Sequence, residues 1–323
     1  MANKAVVFSG QGAQFVGMGK ELADAYPEIR RVYDLADEIL GYSLSKICFD
    51  GPDEELTKSS YCQPGIFVTS IACYQALLTR LPDQEFKATA GLSLGEWTAL
   101  YVAGAITFED ALRALEVRGR HMQQACEASD GAMISIMGLT LDQIEEIWQS
   151  AGIEVANLNT REQTVLSGKR KGVEKAEKLA RKAGAKKTVI LNVAGAFHSQ
   201  LMRPAADYLA EFMAGVEIRK PTVPVLSNVT GRPHGDPKEI RNLLIRQVTH
   251  PVNWFMGIEW FASEGITHYV ECGPGKVLCS LIRRTRRDAG LAHIQDMASL
   301  DKTVDALKNR EWTEDKWQIL TEK

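Results

Sequence analysis

Phe86-Lys-Ala-Thr-Ala90-Gly91-Leu-Ser-Leu-Gly95-Glu-Trp-Thr-Ala-Leu100-Tyr101 reads as a short strand, a tight turn and a helix in immediate succession. Phe86–Ala90 supplies the strand, ending in Gly91. Leu94, Trp97, Leu100, Tyr101 and Gly104 then recur at helical spacing. The turn holds Gly-x-Ser-x-Gly, a weak signal alone in a chain with 26 glycines. Between a strand and a helix it gains meaning, because such an elbow lifts a serine Oγ above the edge of a parallel sheet. Small residues must flank Ser93, since the sharp bend leaves no room for side chains. The new helix also leaves the Leu94 N–H unpaired and able to meet an oxyanion. The plainer alternative is a glycine-bracketed helix start capped by Ser93.

Working outward, short β-rich runs alternate with helical patterns, which predicts an α/β fold with a mainly parallel sheet. Ala5–Ser9 reads as a strand, and Gly17–Ala36, Gln63–Leu78 and Phe108–Ala128 as helices. From Gly131 the rhythm changes. Strand Ala132–Met137, helix Leu141–Ser150, strands Ile153–Asn157 and Thr164–Ser167, helix Lys171–Ala183 and strand Lys187–Val193 follow in turn. That β-α-β-β-α-β order is the ferredoxin-like unit. The pattern predicts a hydrolase-like large domain (1–128 and 198–310) into which a small ferredoxin-like domain (129–197) is inserted. A strand at Val223–Leu226, helices near Lys238–Val248 and Trp254–Ser263, a strand at Thr267–Glu271 and a helix at Lys276–Arg286 complete the large domain. Residues 311–323 read as a polar tail.

Composition narrows the classes. The chain has 323 residues, is 45% hydrophobic and carries 38 Lys+Arg against 41 Asp+Glu, a net charge of −3. No global basic excess points to nucleic acid, and apolar runs such as Ile66–Ala72 are too short to span a bilayer. The N-terminal residues lead straight into a strand, unlike a signal peptide. Six cysteines without CxxC spacing argue against a metal site or a disulfide framework, and for a reducing cytoplasm.

A serine nucleophile needs a base. His198, in Gly195-Ala-Phe-His-Ser199, stands where a strand gives way to a helix and can reach into a cleft. His121, His234, His250, His268 and His293 lack that setting, though any could serve in an ordinary hydrolase. Arg118 falls on the apolar stripe of its helix, three residues after Leu115 and in line with Gly119 and Met122. A guanidinium on a buried face wants a planar anion: a substrate carboxylate, or an acidic side chain of the fold itself. Gly10-Gln-Gly-Ala-Gln-Phe15 tempts a dinucleotide reading, but Phe15 is too large for the third small position of that fingerprint. The loop instead suits close backbone approach to a substrate, with the Gln11 N–H as a second oxyanion donor.

Together these segments resemble the malonyl-CoA:acyl carrier protein transacylases and the related acyltransferase domains of fatty acid and polyketide synthases. The matching pieces are Phe8-Ser-Gly-Gln-Gly-Ala-Gln14, Gln63-Pro-Gly-Ile-Phe67, Gly91-Leu-Ser-Leu-Gly-Glu96, Val117-Arg-Gly-Arg120, Asn157-Leu-Asn159, Gln163 with Ser167-Gly168, Ala196-Phe-His-Ser199, Arg246-Gln247 with Pro251-Val252, and Glu271-Cys-Gly-Pro-Gly-Lys-Val277. They occur in family order from residue 8 to about 280. The resemblance implies that Ser93 takes a malonyl group from CoA as an ester. It implies that His198 deprotonates Ser93 and then the phosphopantetheine thiol, and that the Gln247 backbone carbonyl orients this histidine with no aspartate involved. Gln11 and Leu94 N–H groups would form the oxyanion hole, and Arg118 would clamp the free malonyl carboxylate. Gln63, Asn157 and Phe197 fall to the substrate site, the bulk of Phe197 going with malonyl in preference to methylmalonyl.

Two positions depart from the family pattern: Leu92 replaces the histidine usual before the nucleophile, and Gly65 replaces an alanine. The resemblance further implies no cofactor, and malonyl-CoA and an acidic acyl carrier protein as partners. A monomer and the fatty acid pathway are the expected setting for a chain of stand-alone length. Basic candidates for a carrier-facing surface are Lys169-Arg-Lys171, Arg181-Lys182, Lys186-Lys187, Arg283, Arg284, Arg286 and Arg287. Two other readings compete: a serine esterase whose base lies nearer the C-terminus (His268 or His293), and an inactive carrier-binding domain for which Leu92 is the hint.

Overall fold

Parallel strands meet beside the Ser93 turn in the computed structural model, which describes residues 3–309. Strand β1 (Asn3–Phe8) opens the chain. Helices α1 (Lys20–Ala25) and α2 (Pro27–Leu40) follow in place of the single helix expected over Gly17–Ala36. The break is at Pro27, which pushes the preceding residue out of the helical region: Tyr26 sits at φ −127, ψ 111. Short helices α3 (Leu44–Asp50) and α4 (Asp53–Leu56) lead into α5 (Ser59–Arg80), which starts four residues before Gln63. Helix α5 is buried along most of its length and forms the spine of the core. The elbow is then built by β2 (Ala88–Gly91) and α6 (Leu94–Val102), and α7 (Phe108–Glu127) packs along α5.

The second lobe runs β3 (Gly131–Met137), α8 (Leu141–Ala151), β4 (Glu154–Thr160), β5 (Gln163–Lys169), α9 (Arg170–Lys182) and β6 (Lys187–Ile190). Its sheet is antiparallel in the order β4-β5-β3-β6, the ferredoxin-like arrangement. Alternation sorts the side chains. Ala132, Ile134 and Ile136 face α8 and α9 in one apolar cluster, so Met133 and Ser135 face the opposite side, where the cleft lies.

The chain returns through α10 (Arg203–Met213), α11 (Pro237–Gln247) and α12 (Trp254–Ser263) to β7 (Ile266–Cys272), α13 (Val277–Thr285), β8 (Gly290–Ile294) and α14 (Met297–Asn309). The large sheet is parallel, in the order β2-β1-β7-β8. The strand expected at Val223–Leu226 is reduced to a parallel bridge of Val225 with Thr89 on β2. Pro221 and Pro224 have no N–H to give a ladder, so pairing shrinks to one turn of exchange. The small sheet is tied to the large lobe where the β4 residues Ala156 and Leu158 exchange backbone hydrogen bonds with Val252, in the segment between α11 and α12. The polar stretch expected at 311–323 lies outside the described residues.

The elbow depends on backbone packed against backbone. A Cβ on Gly95 would lie 2.3 Å from the Phe8 carbonyl oxygen and 2.8 Å from that of Ser9. Neither can swing aside as a side chain could. Gly95→Ala is therefore expected to destabilise the fold by about 2–3 kcal/mol and to lower the thermal unfolding midpoint by several degrees; an unchanged midpoint would show the elbow to be looser than described.

Candidate active site

Ser93 and His198 are the two non-glycine residues with positive φ among the described residues, at 54° and 58°. Side chains rarely adopt that region, and such strain persists only where the surroundings hold it. Here it aims the two side chains at each other: His198 Nε2 lies 3.0 Å from Ser93 Oγ. His198 Nδ1 lies 2.8 Å from the backbone carbonyl of Gln247. A carbonyl can only accept, so Nδ1 carries the proton and Nε2 is left bare to take the serine's.

Arg118 reaches the same oxygen from α7. Gly119 allows this, because a Cβ there would lie 2.3 Å from the Ser59 carbonyl oxygen and force α7 away from α5. The guanidinium is 1% exposed. Its Nη2 donates to Ser93 Oγ at 2.9 Å and to Gln247 Oε1 at 3.1 Å, and its Nη1 donates to Gln63 Oε1 at 2.6 Å. Nε is buried without a partner. The sequence left open an internal carboxylate partner for this arginine; none is within ion-pair distance among the described residues.

Ser93 and His198 line a cleft of about 320 Å³ between the lobes, and Arg118 lies behind Ser93, buried and off the lining. Gln11, Leu92 and Val277 line it from the large lobe. Met133, Ser135, Asn157, Asn159, Gln163 and Val165 line it from the small sheet, and Phe197 and His198 from the segment after β6. Gln63, Gln247 and Leu94 are not part of the lining: all three are fully buried. Gln63 bears on the site through Arg118 and through Gln11, whose Oε1 accepts from its Nε2 at 3.3 Å. Leu92, where the family pattern has histidine, packs beside an apolar cluster and needs no polar partner. His268 and His293, the alternative bases, lie on β7 and β8 and do not line this cleft.

Sequence reasoning missed three groups behind the serine. Asn228 Oδ1 accepts from the Ser93 N–H at 2.6 Å and its Nδ2 donates to the Gly91 carbonyl at 2.8 Å, clamping the elbow. The side chain of Gln247, expected to act only through its carbonyl, donates from Nε2 to the Ser93 carbonyl at 3.0 Å. Glu96 is a fully buried acid in the first turn of α6. Its signal was visible as the one acid in an otherwise apolar or small helix.

Burial, with the Arg118 charge adding to it, brings the His198 imidazole down to about 4. Burial also lowers Arg118 to about 10, the negative charge of Glu96 opposing the shift, so the fork stays charged at neutral pH. With His198 as base, kcat/KM is expected to stay level from pH 7 to about 5 and to fall about tenfold per unit below about pH 4. An anion on Arg118 offsets the positive field, so the acid limb of kcat should lie at higher pH than that of kcat/KM. Initial rates across pH check both; limbs that coincide near the ordinary histidine value would contradict the burial argument. The same shift links to stability. The unfolded chain binds the proton more tightly, so about 3 kcal/mol present above pH 6.5 is lost as pH falls toward 4.

A base-activated serine beside an unpaired buried cation suits transfer of acidic acyl groups through a serine ester. The chain belongs to the acyl transferase domain family, whose model matches residues 5–312. The malonyl CoA-acyl carrier protein transacylase of Bacillus subtilis (strain 168) is 39% identical over 313 residues, covering 95% of this chain and 98% of that protein. The crystal structure of malonyl CoA-acyl carrier protein transacylase from Clostridium perfringens matches with a TM-score of 0.91 at 34% identity, over 96% of this chain and 98% of that one. A structure of a type II PKS acyl-carrier protein in complex with its malonyl-transacylase matches with a TM-score of 0.90 at 35% identity, over 94% and 99% respectively.

Proposed function

We infer that the chain is a malonyl-CoA:acyl carrier protein S-malonyltransferase working by a ping-pong route through a malonyl-serine ester. The observation that carries this is the double hold on Ser93 Oγ, with His198 Nε2 at 3.0 Å and Arg118 Nη2 at 2.9 Å. As Oγ attacks the thioester carbonyl, its proton passes to His198 Nε2 and the carbonyl oxygen becomes an oxyanion, met by the Gln11 and Leu94 N–H groups. Collapse breaks the C–S bond, and the CoA sulfur leaves with the proton from Nε2. In the second half His198 takes the proton of the carrier's thiol, the sulfur attacks the ester, and Oγ recovers its proton. Arg118 holds the distal carboxylate throughout, which fixes the carbonyl against its donors.

The rest of the cleft suits the pantetheine arm. Asn159 Oδ1 and Gln163 Oε1 are buried acceptors without partners, matched to the amide N–H groups of such an arm. Asn159→Leu is expected to raise KM for malonyl-CoA about tenfold, the value of one hydrogen bond left unmade, and to leave a truncated malonyl thioester unaffected. Equal effects on both would place the arm elsewhere.

For the carrier, the relatives support an acyl carrier protein: one solved neighbour is named as a complex with one. Of the basic candidates, Arg170, Arg181, Lys186 and Arg286 already pair with Asp130, Glu177, Glu162 and Asp288. Arg283 donates to the Arg287 carbonyl and keeps its charge, so Lys169, Lys171, Lys182, Lys187, Arg283, Arg284 and Arg287 remain our candidates for its acidic face. Relatives named for polyketide biosynthesis also match, as at 37% identity to one from Bacillus subtilis, so the malonyl carrier product serves fatty acid or polyketide chain extension. The reading needs no cofactor, and every reacting group comes from one chain, in keeping with a monomer. No described helix is long and apolar enough to cross a membrane, and the six cysteines are free and buried, which supports the cytoplasm as the compartment. The test is initial-rate kinetics with malonyl-CoA and a holo carrier protein. Parallel double-reciprocal lines and transfer outpacing hydrolysis are expected; hydrolysis without transfer would favour the esterase reading.

A further inference from the structure

Behind Ser93, on the side away from the cleft, lies a buried carboxylate that the steps above do not use. Glu96 Oε1 accepts from His234 Nε2 at 2.7 Å, and both side chains are sealed from solvent. Its Oε2 accepts from the Asn228 N–H at 3.0 Å and from Gln247 Nε2 at 2.5 Å. The two residues it grips there hold the reacting groups: Asn228 clamps the Ser93 N–H, and Gln247 touches Ser93, Arg118 and His198 at once.

A carboxamide has a donor end and an acceptor end. With a carboxylate behind it, Gln247 must turn its NH2 toward Glu96 and the Ser93 carbonyl, which leaves Oε1 facing the guanidinium. Flipped, it would set N–H against N–H at Arg118 and oxygen against oxygen at Glu96. The carboxylate thus reaches Arg118 only through an intervening amide. A direct ion pair would occupy the fork; this arrangement orients it and leaves donors for a substrate anion.

We propose that Glu96 and His234 are a positioning pair for acyl selection: Glu96 orients Gln247 so that Arg118 is held in register with Ser93, and His234 fixes the carboxylate of Glu96. The proposal rests on the malonyl-transfer reading. His234 belongs to the loop between the residue 225 bridge and α11, far in sequence from the nucleophile, and none of the matched family segments contains it.

The test compares kcat/KM for malonyl-CoA with that for acetyl-CoA in each variant, a ratio independent of the fraction of folded enzyme. Glu96→Gln puts an NH2 among three donors. It is expected to lower the ratio about tenfold, mostly through KM for malonyl-CoA, as one misdirected hydrogen bond to a charged group would. His234→Leu should lower it about fivefold, and His234→Gln, which keeps a donor at the Nε2 position, should restore most of it. Both substrates falling in proportion, in a variant with wild-type circular dichroism, would overturn the proposal and leave Glu96 a packing residue. Should Glu96→Gln not fold, the two His234 variants decide: equal ratios in Leu and Gln overturn it as well. If the unaltered protein itself shows no preference for malonyl-CoA, the failure belongs to the underlying functional reading.

Discussion

His198→Ala is expected to lower kcat for malonyl transfer by about 10³–10⁴-fold while changing malonyl-CoA affinity little, the usual cost of removing a positioned general base. The geometry gives the reason. Nε2 is the one ring nitrogen in reach of Ser93 Oγ among the described residues, and the Gln247 carbonyl fixes its tautomer. Among the described residues no carboxylate steadies the imidazolium as it forms, so a carbonyl dipole must serve. Arg118 compensates in part, because its hydrogen bond to Oγ stabilises the developing negative charge on the serine. A weak base and an acidified hydroxyl are thereby brought closer in proton affinity. Pre-steady-state acylation measures the step directly. Retention of more than a tenth of kcat would hand the role to another histidine, the possibility that His268 and His293 represent.

Arg118→Ala should be nearly as damaging, but selectively. Loss of a buried, charge-assisted clamp costs about 3–4 kcal/mol, or roughly 10²–10³ in kcat/KM for malonyl-CoA. Acetyl-CoA has no distal carboxylate to lose, so its transfer should fall far less, by about tenfold, the value of the one hydrogen bond Arg118 gives to Ser93 Oγ. Arg118→Lys keeps the charge without the planar fork and should fall between. Competition between the two acyl donors gives the ratio; equal losses for both would mean that Arg118 serves Ser93 alone and selects nothing.

The sequence and the molecule agree best where local pattern and tertiary demand coincide. The β2–Ser93–α6 turn was readable because a strand, small residues and a helical apolar stripe adjoin within sixteen residues. The small lobe was readable because its apolar residues alternate on strands and recur at helical spacing between them. The break at Tyr26–Pro27 follows from proline sterics yet was hidden by an apolar stripe continuing across it. Strand β8 and helix α14 escaped notice since Gly290–Ile294 is short and follows a strongly basic stretch, its burial supplied by partners far away.

The site divides along the same line. Ser93 sits in a local motif, and His198 at the end of an element. Arg118 was conspicuous as a charge on an apolar face, but only the fold shows that no carboxylate among the described residues claims it. What was not legible is the ring of groups behind the serine. Gln247 lies 154 positions from Ser93 and Asn228 lies 135, and no spacing rule links them. Their roles exist only once β2, α6 and α11 have packed.

The most direct measurement is peptide mass spectrometry of the protein after brief exposure to malonyl-CoA, followed by addition of a holo carrier protein. The account predicts a single malonyl group on the peptide containing Ser93, discharged by the carrier thiol faster than by water and absent from Ser93→Ala. Transfer that proceeds with no acyl group on Ser93, or with one on another residue, would contradict it.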